Sequence, residues 1–248
     1  MKKCETKKDD QLRPVSFQTG IQEYPDGSVL AVMGMTRIIC SVFIQEGVPK
    51  WLPDESGGWA TCEYDMLPGS TTQRNIRDSS RGRVNARSAD IKRLIGRAMR
   101  SVLDLKKIPG KTIWIDCDVL QADGGTRTAS INGAYVALKR AIKKLLSEKK
   151  LKSDPVTDSL AAVSVGIIDG KIVMDLDYEQ DSRAEADMNI VMTGSGRFVE
   201  VQATGEKRPF TKDEFLQAIE MAGKGISQII KKQEEVIHES SPGHVKQK

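Results

Sequence analysis

Histidine is nearly absent from this sequence. Only two histidines occur in 248 residues, and both of them, His238 and His244, lie in the polar C-terminal segment. A serine–histidine or cysteine–histidine nucleophile is therefore disfavoured, and so is a histidine-rich metal centre. Any catalysis has to draw on arginine, lysine, carboxylates, backbone groups or a metal bound through oxygen.

Cysteines are few and scattered, and long apolar runs are missing. The four cysteines form no Cys-x-x-Cys pair, which argues against a zinc site or a disulfide framework and for a reducing compartment. No apolar run approaches the length of a membrane span, and the polar N-terminus lacks the apolar segment of a secretory signal. We therefore expect a cytoplasmic protein without a membrane segment. The net charge of +4 says little about partners.

The stretch from Trp114 to Tyr135 predicts a strand, a glycine loop and a helix. Apolar residues alternate with polar ones up to Val119 and recur at three- and four-residue spacing from Ile131. The loop between them, residues 123–127, reads Asp-Gly-Gly-Thr-Arg. Free backbone N–H groups and the helix dipole favour an anion at such a loop, most simply phosphate. A plain tight turn is the alternative interpretation.

Residues 74–100 carry a concentrated positive charge. Nine basic residues stand against two acidic ones, which gives a local charge of +7. The first half, through Arg87, lacks apolar periodicity and predicts an arginine-rich loop. Such a loop suits a sugar–phosphate backbone or structured RNA, with a solvated charge run as the alternative. The second half predicts a helix with Ser88 as its N-cap, so that Arg87 stands at a second helix start.

Residues 175–187 form the acidic counterpart, in which six carboxylates are interrupted by Arg183. Asp187 directly precedes the predicted strand Met188–Met192, and Asp181 stands six residues earlier. Two carboxylates at a strand entrance can hold a hard divalent cation through oxygen, and an ordinary solvated turn is the alternative. Together the three regions suggest attack by phosphate on a phosphodiester, which needs no histidine base.

The order of elements predicts a two-layer α+β protein made of two similar strands-then-helix halves packed together, although no sequence repeat proves a duplication. Strands come first, followed by the basic loop, a helix, a strand, a helix, further strands and a last helix. Trp59–Met66 is one strand candidate, and Thr211 with Glu214 predicts a capping box at the start of the last helix. Residues 1–13 are polar and predict a loose segment.

Several ordered sequence blocks resemble the ribonuclease PH family, phosphate-dependent exonucleases that trim the 3′ ends of transfer RNA. The resemblance runs from about residue 12 to about residue 235. The blocks are Leu12–Pro14, Pro25–Val29, Glu63–Pro68, Ile91–Arg97, Trp114–Ser130, Asp187–Gly194 and Glu200–Gly205. Many members begin with an Arg-x-Asp-Gly-Arg run, where this chain has Lys-Lys-Cys-Glu-Thr-Lys-Lys-Asp-Asp. That departure concerns N-terminal RNA or subunit contacts and not the phosphate site.

The resemblance implies a fold related to the second domain of ribosomal protein S5, duplicated within one chain. We accordingly expect a single RNase PH-type domain over residues 1–240, with similar halves at about 12–108 and 109–237 and a disordered tail at 238–248. The resemblance also implies a homohexamer built as a trimer of dimers. The implied activity is phosphorolytic 3′→5′ removal of nucleotides from tRNA precursors and other RNA, with nucleoside diphosphates as products and a reverse nucleotidyltransferase activity.

The resemblance also implies the site residues. In the family, inorganic phosphate is the co-substrate, and its binding positions match Arg87, Gly125, Thr126 and Arg127. The acidic positions associated with catalysis and with a divalent cation, magnesium, match Asp181 and Asp187, and Arg127 acts with them. The RNA-gripping loop contains Arg74, Arg77, Arg81 and Arg83.

Two other functions fit parts of the sequence. A non-catalytic RNA-binding subunit of an exosome-like ring could keep the basic loop, but it would not need both arginines and both aspartates, and all four are present. A hydrolase with metal-activated water could use the carboxylates, but it would have no use for a preformed phosphate site. The phosphorolytic enzyme is therefore the favoured interpretation.

Overall fold

Two β-sheets and four α-helices make up the described part of the chain, residues 7–53, 57–77, 80, 82 and 85–239 of the computed structural model. The first sheet has the strand order β1-β2-β3-β5-β4. Its strands are β1 (Val15–Thr19), β2 (Gly27–Met33), β3 (Thr36–Glu46), β4 (Trp59–Met66) and β5 (Lys111–Gln121). The second sheet has the order β7-β6-β8-β9. Its strands are β6 (Leu160–Ile168), β7 (Lys171–Met174), β8 (Ala186–Thr193) and β9 (Phe198–Gly205).

The helices connect and cover these sheets. They are α1 (Ala86–Ser101), α2 (Thr126–Ser147), the short α3 (Tyr178–Arg183) and α4 (Lys212–His238). Strands β4 and β5 run parallel, and α1 lies between them in sequence, as parallel pairing requires a crossover connection. The predicted strand Trp59–Met66 is confirmed with the same bounds. The acidic stretch contains α3, a helix that the sequence pattern did not predict.

Helix α2 occupies the centre of the molecule. Every residue from Thr128 to Leu138 is buried, because the helix packs against β2 and β3 of the first sheet and against β6 of the second. The buried Asn132 joins it to β6 through a hydrogen bond from Nδ2 to the Ala162 carbonyl oxygen at 2.9 Å and one from the Ala162 N–H to Oδ1 at 2.8 Å. Full burial of a side chain such as Leu138 stabilises the fold by about 1.5–3 kcal/mol. The start of α2 is thereby held firmly.

The start of α1 differs from the expectation. The N-cap is Asn85, whose side-chain oxygen accepts a hydrogen bond from the Arg87 N–H at 2.9 Å. Ser88 is wrong as the cap because its side chain faces the core, where it is buried. Arg87 therefore lies inside the first turn of α1, one residue after Ala86, and not before the helix. Arg87 still stands at a helix N-terminus, where the free N–H groups and the helix dipole favour a bound anion.

The structure of the two chain ends differs in part from the expectation. The segment 1–13 was expected to be loose, and this is wrong for its last part: Arg13 is buried at 3 % exposure, and the Asp9 carbonyl oxygen accepts a hydrogen bond from the Met174 N–H at 2.8 Å. Residues 1–6 lie outside the described residues, so for them the expectation stays a prediction. Helix α4 begins with the predicted capping box of Thr211 and Glu214 and continues to His238. Residues 240–248 lie outside the described residues, so the disordered tail there stays a prediction.

The two sheets do not divide the chain at the boundary expected between its two halves. A boundary between residues 108 and 109 would put strand β5 in the second half, but β5 is hydrogen-bonded to β3 and β4 and so belongs to the first sheet. The second sheet starts only with β6, after the central helix. Two similar halves remain a prediction about how the chain arose. In the part of the chain that the structure describes, no helix combines the length and the apolar character needed to cross a membrane.

Candidate active site

The loop between β5 and α2 has the geometry of an anion site. Gly124 and Gly125 have φ angles of +73° and +66°, a region that glycine enters without steric cost. A Cβ at Gly124 would come within 2.5 Å of the Leu176 carbonyl oxygen. Gly125 is the N-cap residue of α2, and among the described residues no side chain caps this helix. The first N–H groups of α2 are thus left for a ligand.

Thr126 and Arg127 follow at the first two positions of α2. The Tyr64 hydroxyl donates a hydrogen bond to Thr126 Oγ1 at 3.0 Å, so the Thr126 hydroxyl keeps its own proton for another acceptor. Arg127 Nη1 donates to Gln202 Oε1 at 3.4 Å. The hydroxyl and the guanidinium are therefore oriented by neighbours on β4 and β9. Tyr64 and Gln202 lie in blocks that carry the family resemblance, but the sequence alone gave them no role.

A further arginine orients Gln202. Arg97 on α1 makes a bidentate pair with Glu200, at 2.8 and 3.0 Å, and Glu200 accepts a hydrogen bond from the Gln202 side chain at 3.0 Å. This connected series runs from the second half of α1 through β9 to Arg127 at the start of α2. A groove of about 340 Å³ opens here between α1, β9 and the start of α2. Its lining includes the basic groups of Arg93, Arg97 and Arg127.

The two arginines at helix starts act on the same groups. The positive charges of Arg87 and Arg127 both oppose the rise that burial causes in the pKa of Tyr64. Both also oppose the rise in the pKa of Asp181. Arg87, on α1, and Arg127, on α2, therefore face one region, although 40 positions separate them in the chain. The charges of the two arginines that the family resemblance assigns to phosphate thus act on the same two side chains.

The acidic pair lies at the same place. Asp181 is on α3, and partial desolvation raises its pKa even though the side chain reaches solvent. Asp187 lies within β8, opposite Thr204 of β9. Its expected position before the strand was wrong, because β8 begins at Ala186, two residues earlier than predicted. Desolvation raises the pKa of Asp187, and the charge of Asp181 raises it further. The two carboxylates are thus electrostatic neighbours.

Glu206 is a carboxylate that the sequence analysis missed. Its negative charge raises the pKa of both Asp181 and Asp187, so it faces the acidic pair from the turn after β9. No group of three or more metal-binding side chains occurs among the residues that the structure describes. The pair offers oxygen donors only, which suits a hard cation that takes its remaining ligands from water and substrate.

The arginine loop is only partly described. Arg74 and Arg77 are exposed, and the positive charge of Arg77 opposes the desolvation that raises the pKa of Asp118. Arg81 and Arg83, also assigned to RNA, lie outside the described residues. The two described arginines precede α1 in the chain, on the connection that leads to Arg87.

The fold places this chain in a class of proteins with known structures. The fold of this chain is similar to that of rice (Oryza sativa) Rrp46, with a TM-score of 0.74, 18% identity and coverage of 93% of this chain and 98% of that one. It is also similar to a chain of the Archaeoglobus fulgidus exosome with RNA bound to the active site, with a TM-score of 0.77, 21% identity and coverage of 91% and 90%. At these identities the likeness shows the fold, which confirms the α+β RNase PH-type architecture.

The sequence comparisons identify the family. The model for the 3′ exoribonuclease family, domain 1, matches residues 11–143, and the model for domain 2 matches residues 158–225. Ribonuclease PH of Bacillus subtilis (strain 168) is 51% identical over 234 residues, which cover 94% of this chain and 96% of that protein. Ribonuclease PH of Syntrophomonas wolfei is 48% identical over 237 residues, or 96% and 99%.

The chain therefore belongs to the RNase PH family of 3′ exoribonucleases. This membership confirms the expected activity, a phosphate-dependent nucleotidyltransferase that acts as a phosphorolytic 3′→5′ exoribonuclease. It also favours the enzyme over the non-catalytic ring subunit and the hydrolase.

Proposed function

We propose that the start of α2 seats the inorganic phosphate that attacks RNA. The Thr126 hydroxyl, the guanidinium groups of Arg127 and Arg87 and the N–H groups that follow Gly125 bind its oxygens. This arrangement gives phosphate hydrogen-bond donors, two positive charges and the favourable end of a helix dipole. The observation that supports the proposal most directly is that the charges of both arginines oppose the desolvation that raises the pKa of Asp181. An anion held by these arginines would lie near the acidic pair.

The reaction then follows from position and charge. An oxygen of the bound phosphate attacks the phosphorus atom of the last phosphodiester in RNA, and the bond from that phosphorus to the 3′ oxygen breaks. The attacked nucleotide leaves as a nucleoside diphosphate, and the 3′ oxygen of the shortened RNA takes up a proton. Phosphate is already an anion at neutral pH, so no histidine base is needed. Arg87 and Arg127 offset the charge that two phosphates bring together.

Asp181 and Asp187 complete the site in this proposal. Their raised pKa values reflect a cost of holding two partly desolvated carboxylates close together, and a bound cation would relieve that cost. We infer that they hold a divalent cation, magnesium, which when bound supplies charge neutralisation at the scissile phosphate. The carboxylates themselves orient the 3′ end.

The substrate and the assembly are further parts of the proposal. We infer that tRNA precursors are the principal substrates, that the protein works in the cytoplasm, and that it assembles as a hexamer, a trimer of dimers. A chain of an archaeal exosome core has a similar fold, with a TM-score of 0.72 and 21% identity. The arginine loop grips the body of the RNA while the 3′ end enters the site.

Phosphate binding can be measured without RNA. A ligand that binds the folded state alone raises the melting temperature, by an amount that grows with its concentration. We expect inorganic phosphate to raise Tm for the native protein and to raise it much less for Arg87→Ala. Arg140→Ala, which changes an arginine of α2 outside both the groove and the loop, is the matched control and should keep the full shift. Equal shifts for Arg87→Ala and the native protein would remove Arg87 from the phosphate site.

Replacement of Arg74 and Arg77 should weaken RNA binding and leave phosphate binding unchanged. Each arginine that contacts a phosphate of RNA contributes about one unit to the slope of log affinity against log salt concentration. We expect the Arg74→Ala, Arg77→Ala double variant to raise KM for a tRNA precursor several-fold and to flatten its salt dependence. KM for phosphate should stay at the native value.

Lys152→Ala provides the control for charge alone, because it removes an exposed cation from the connection between α2 and β6. The assignment of the arginine loop fails if the double variant and Lys152→Ala have the same KM for tRNA and the same salt slope.

A further inference from the structure

An ion pair buried in the interior lies directly against the phosphate loop. Arg13 and Asp175 are 3 % and 0 % exposed, and Arg13 Nη2 lies 2.7 Å from Asp175 Oδ1. The Arg13 backbone N–H donates to Asp175 Oδ2 at 2.8 Å. The N-terminal segment, which was expected to be loose, thus supplies a charged group to the interior. Truncating one partner of such a pair leaves a buried charge uncompensated and is strongly destabilising.

The second terminal nitrogen of Arg13 points to the loop itself. Arg13 Nη1 donates a hydrogen bond to the Asp123 carbonyl oxygen, one residue before the two glycines. A Cβ on Gly125 would stand 3.0 Å from Arg13 Nη2, so the guanidinium packs against the loop backbone. One side chain therefore binds Asp175 and the loop at the same time, which a planar guanidinium can do through separate N–H groups.

Thr36 holds the same loop from the first sheet. Its hydroxyl is fully buried, donates to the Gly124 carbonyl oxygen at 2.7 Å and accepts from the Asp123 N–H at 2.9 Å. Two consecutive glycines have a large conformational freedom to lose, and the contacts of Thr36 and Arg13 fix the backbone on both sides of them. The loop is therefore ordered before any ligand arrives.

The ion pair also reaches the acidic helix. Asp175 precedes Leu176, whose carbonyl oxygen faces Gly124, and the Tyr178 N–H at the start of α3 donates to Asp123 Oδ1 at 3.3 Å. Asp175 has a positive φ of 54°, a strained conformation for a residue with a side chain. The connection between β7 and α3, the helix that carries Asp181, is thus attached to the phosphate loop.

We propose that Arg13, with Asp175 and Thr36, is a positioning residue for phosphorolysis: it preorganises residues 123–125 for inorganic phosphate and sets their place relative to α3. The inference rests on the proposed phosphate site. None of the three side chains is assigned a contact with substrate, so their effect passes through the loop backbone. Misplacement of a binding group by about 1 Å can cost up to 10²-fold in rate, so small shifts of the loop are measurable.

The test uses two conservative variants of the full-length protein. Arg13→Lys keeps the charge beside Asp175 but loses the fork that also reaches Asp123. Thr36→Val keeps the shape of the side chain and removes both hydrogen bonds. We expect each to raise KM for inorganic phosphate by about five- to tenfold, the effect of roughly one lost hydrogen bond, with KM for RNA within about twofold of native. The phosphate-induced rise in Tm should shrink in parallel.

Matched controls separate positioning from general loss of stability. Thr112→Val removes a buried hydroxyl that donates to the Gly47 carbonyl oxygen at 2.7 Å, at the far end of β5. Arg100→Lys removes a guanidinium that donates to the Ala60 carbonyl oxygen at 2.8 Å. Both controls should lower Tm without changing KM for phosphate, because neither touches the loop.

The outcomes separate this inference from the proposed phosphate site. If Arg127→Ala loses phosphorolysis but folded Arg13→Lys and Thr36→Val keep the KM for phosphate of their controls, the positioning role is overturned and the site stands. If Arg127→Ala is fully active, the site itself is wrong. Should Arg13→Lys fail to fold, Thr36→Val decides the question by the same comparison.

Discussion

Arg127→Ala should lower the rate of phosphorolysis by about 10²–10³-fold, the usual cost of removing one preorganised donor from a charged transition state. Arg127 stands at the second position of α2, where the dipole disfavours a cation, and a bound phosphate removes that penalty. The same substitution should leave the fold intact, because the side chain makes a single hydrogen bond among the described residues, the 3.4 Å contact to Gln202. The initial rate with saturating tRNA precursor and the value of Tm check both parts.

Arg140→Ala is the matched control for this result. Arg140 lies on the same helix, 13 residues further along, or about 20 Å at 1.5 Å per residue, and its side chain donates to the Glu239 carbonyl oxygen. We expect native activity from Arg140→Ala. Full activity from Arg127→Ala would contradict the assignment of Arg127, and a large fall in its Tm would mean that it supports the fold and not only the ligand.

Asp187→Asn should have two opposite effects: a loss of activity of about 10²-fold or more and a higher Tm at neutral pH. Desolvation and the charge of Asp181 raise the pKa of Asp187 above its ordinary value of 3.8. The folded state therefore favours the neutral carboxyl more than the unfolded chain does. At neutral pH the ionised carboxylate costs stability, and a neutral amide of the same shape removes that cost.

The pH dependence fixes the sign of this prediction. The stability that the raised pKa contributes is fully present below pH 3.8 and is lost as pH rises through the folded value. The advantage of Asp187→Asn over the native protein should therefore be largest at neutral pH and disappear in acid. Asp10→Asn, at an exposed turn, is the control and should change neither activity nor Tm. A lower Tm for Asp187→Asn at pH 7 would show that the carboxylate supports the fold.

Much of the fold could be predicted from local sequence patterns. Strand Trp59–Met66 alternates cleanly and was predicted with the bounds that it has, and the Thr211–Glu214 capping box marks the start of α4. The first residue of α1 was harder to predict. Asn85 and Ser88 are both good N-cap residues, and only the packing of Ser88 against the core decides between them.

The central position of α2 was less apparent from the sequence. Its apolar stripe predicts a helix with one buried face, yet small residues such as Gly133 fill the other faces. A Cβ at Gly133 would approach Cys40 Sγ to 2.7 Å, so the helix can lie this close to the first sheet only with glycine at this point. Periodicity reports a buried face and does not report how many neighbours a helix has.

The site was predictable where its residues are close in sequence. Gly125, Thr126 and Arg127 could be read as an anion loop because strand, glycines and helix start follow one another. The Arg13–Asp175 pair could not be predicted, because 162 positions separate its members and a polar N-terminal segment gives no periodic signal. Which distant residues meet is decided by the pairing of strands and the packing of helices, and these depend on the whole chain.

The most direct test of the central claim is product identification. A tRNA with a short 3′ extension is incubated with the protein in the presence and absence of inorganic phosphate, and the released nucleotides are identified. Phosphorolysis predicts that shortening requires phosphate and yields nucleoside diphosphates, with the added phosphate as the new terminal group. Release of nucleoside monophosphates without phosphate would mean that water is the nucleophile and would contradict the role assigned to the loop at Gly125, Thr126 and Arg127.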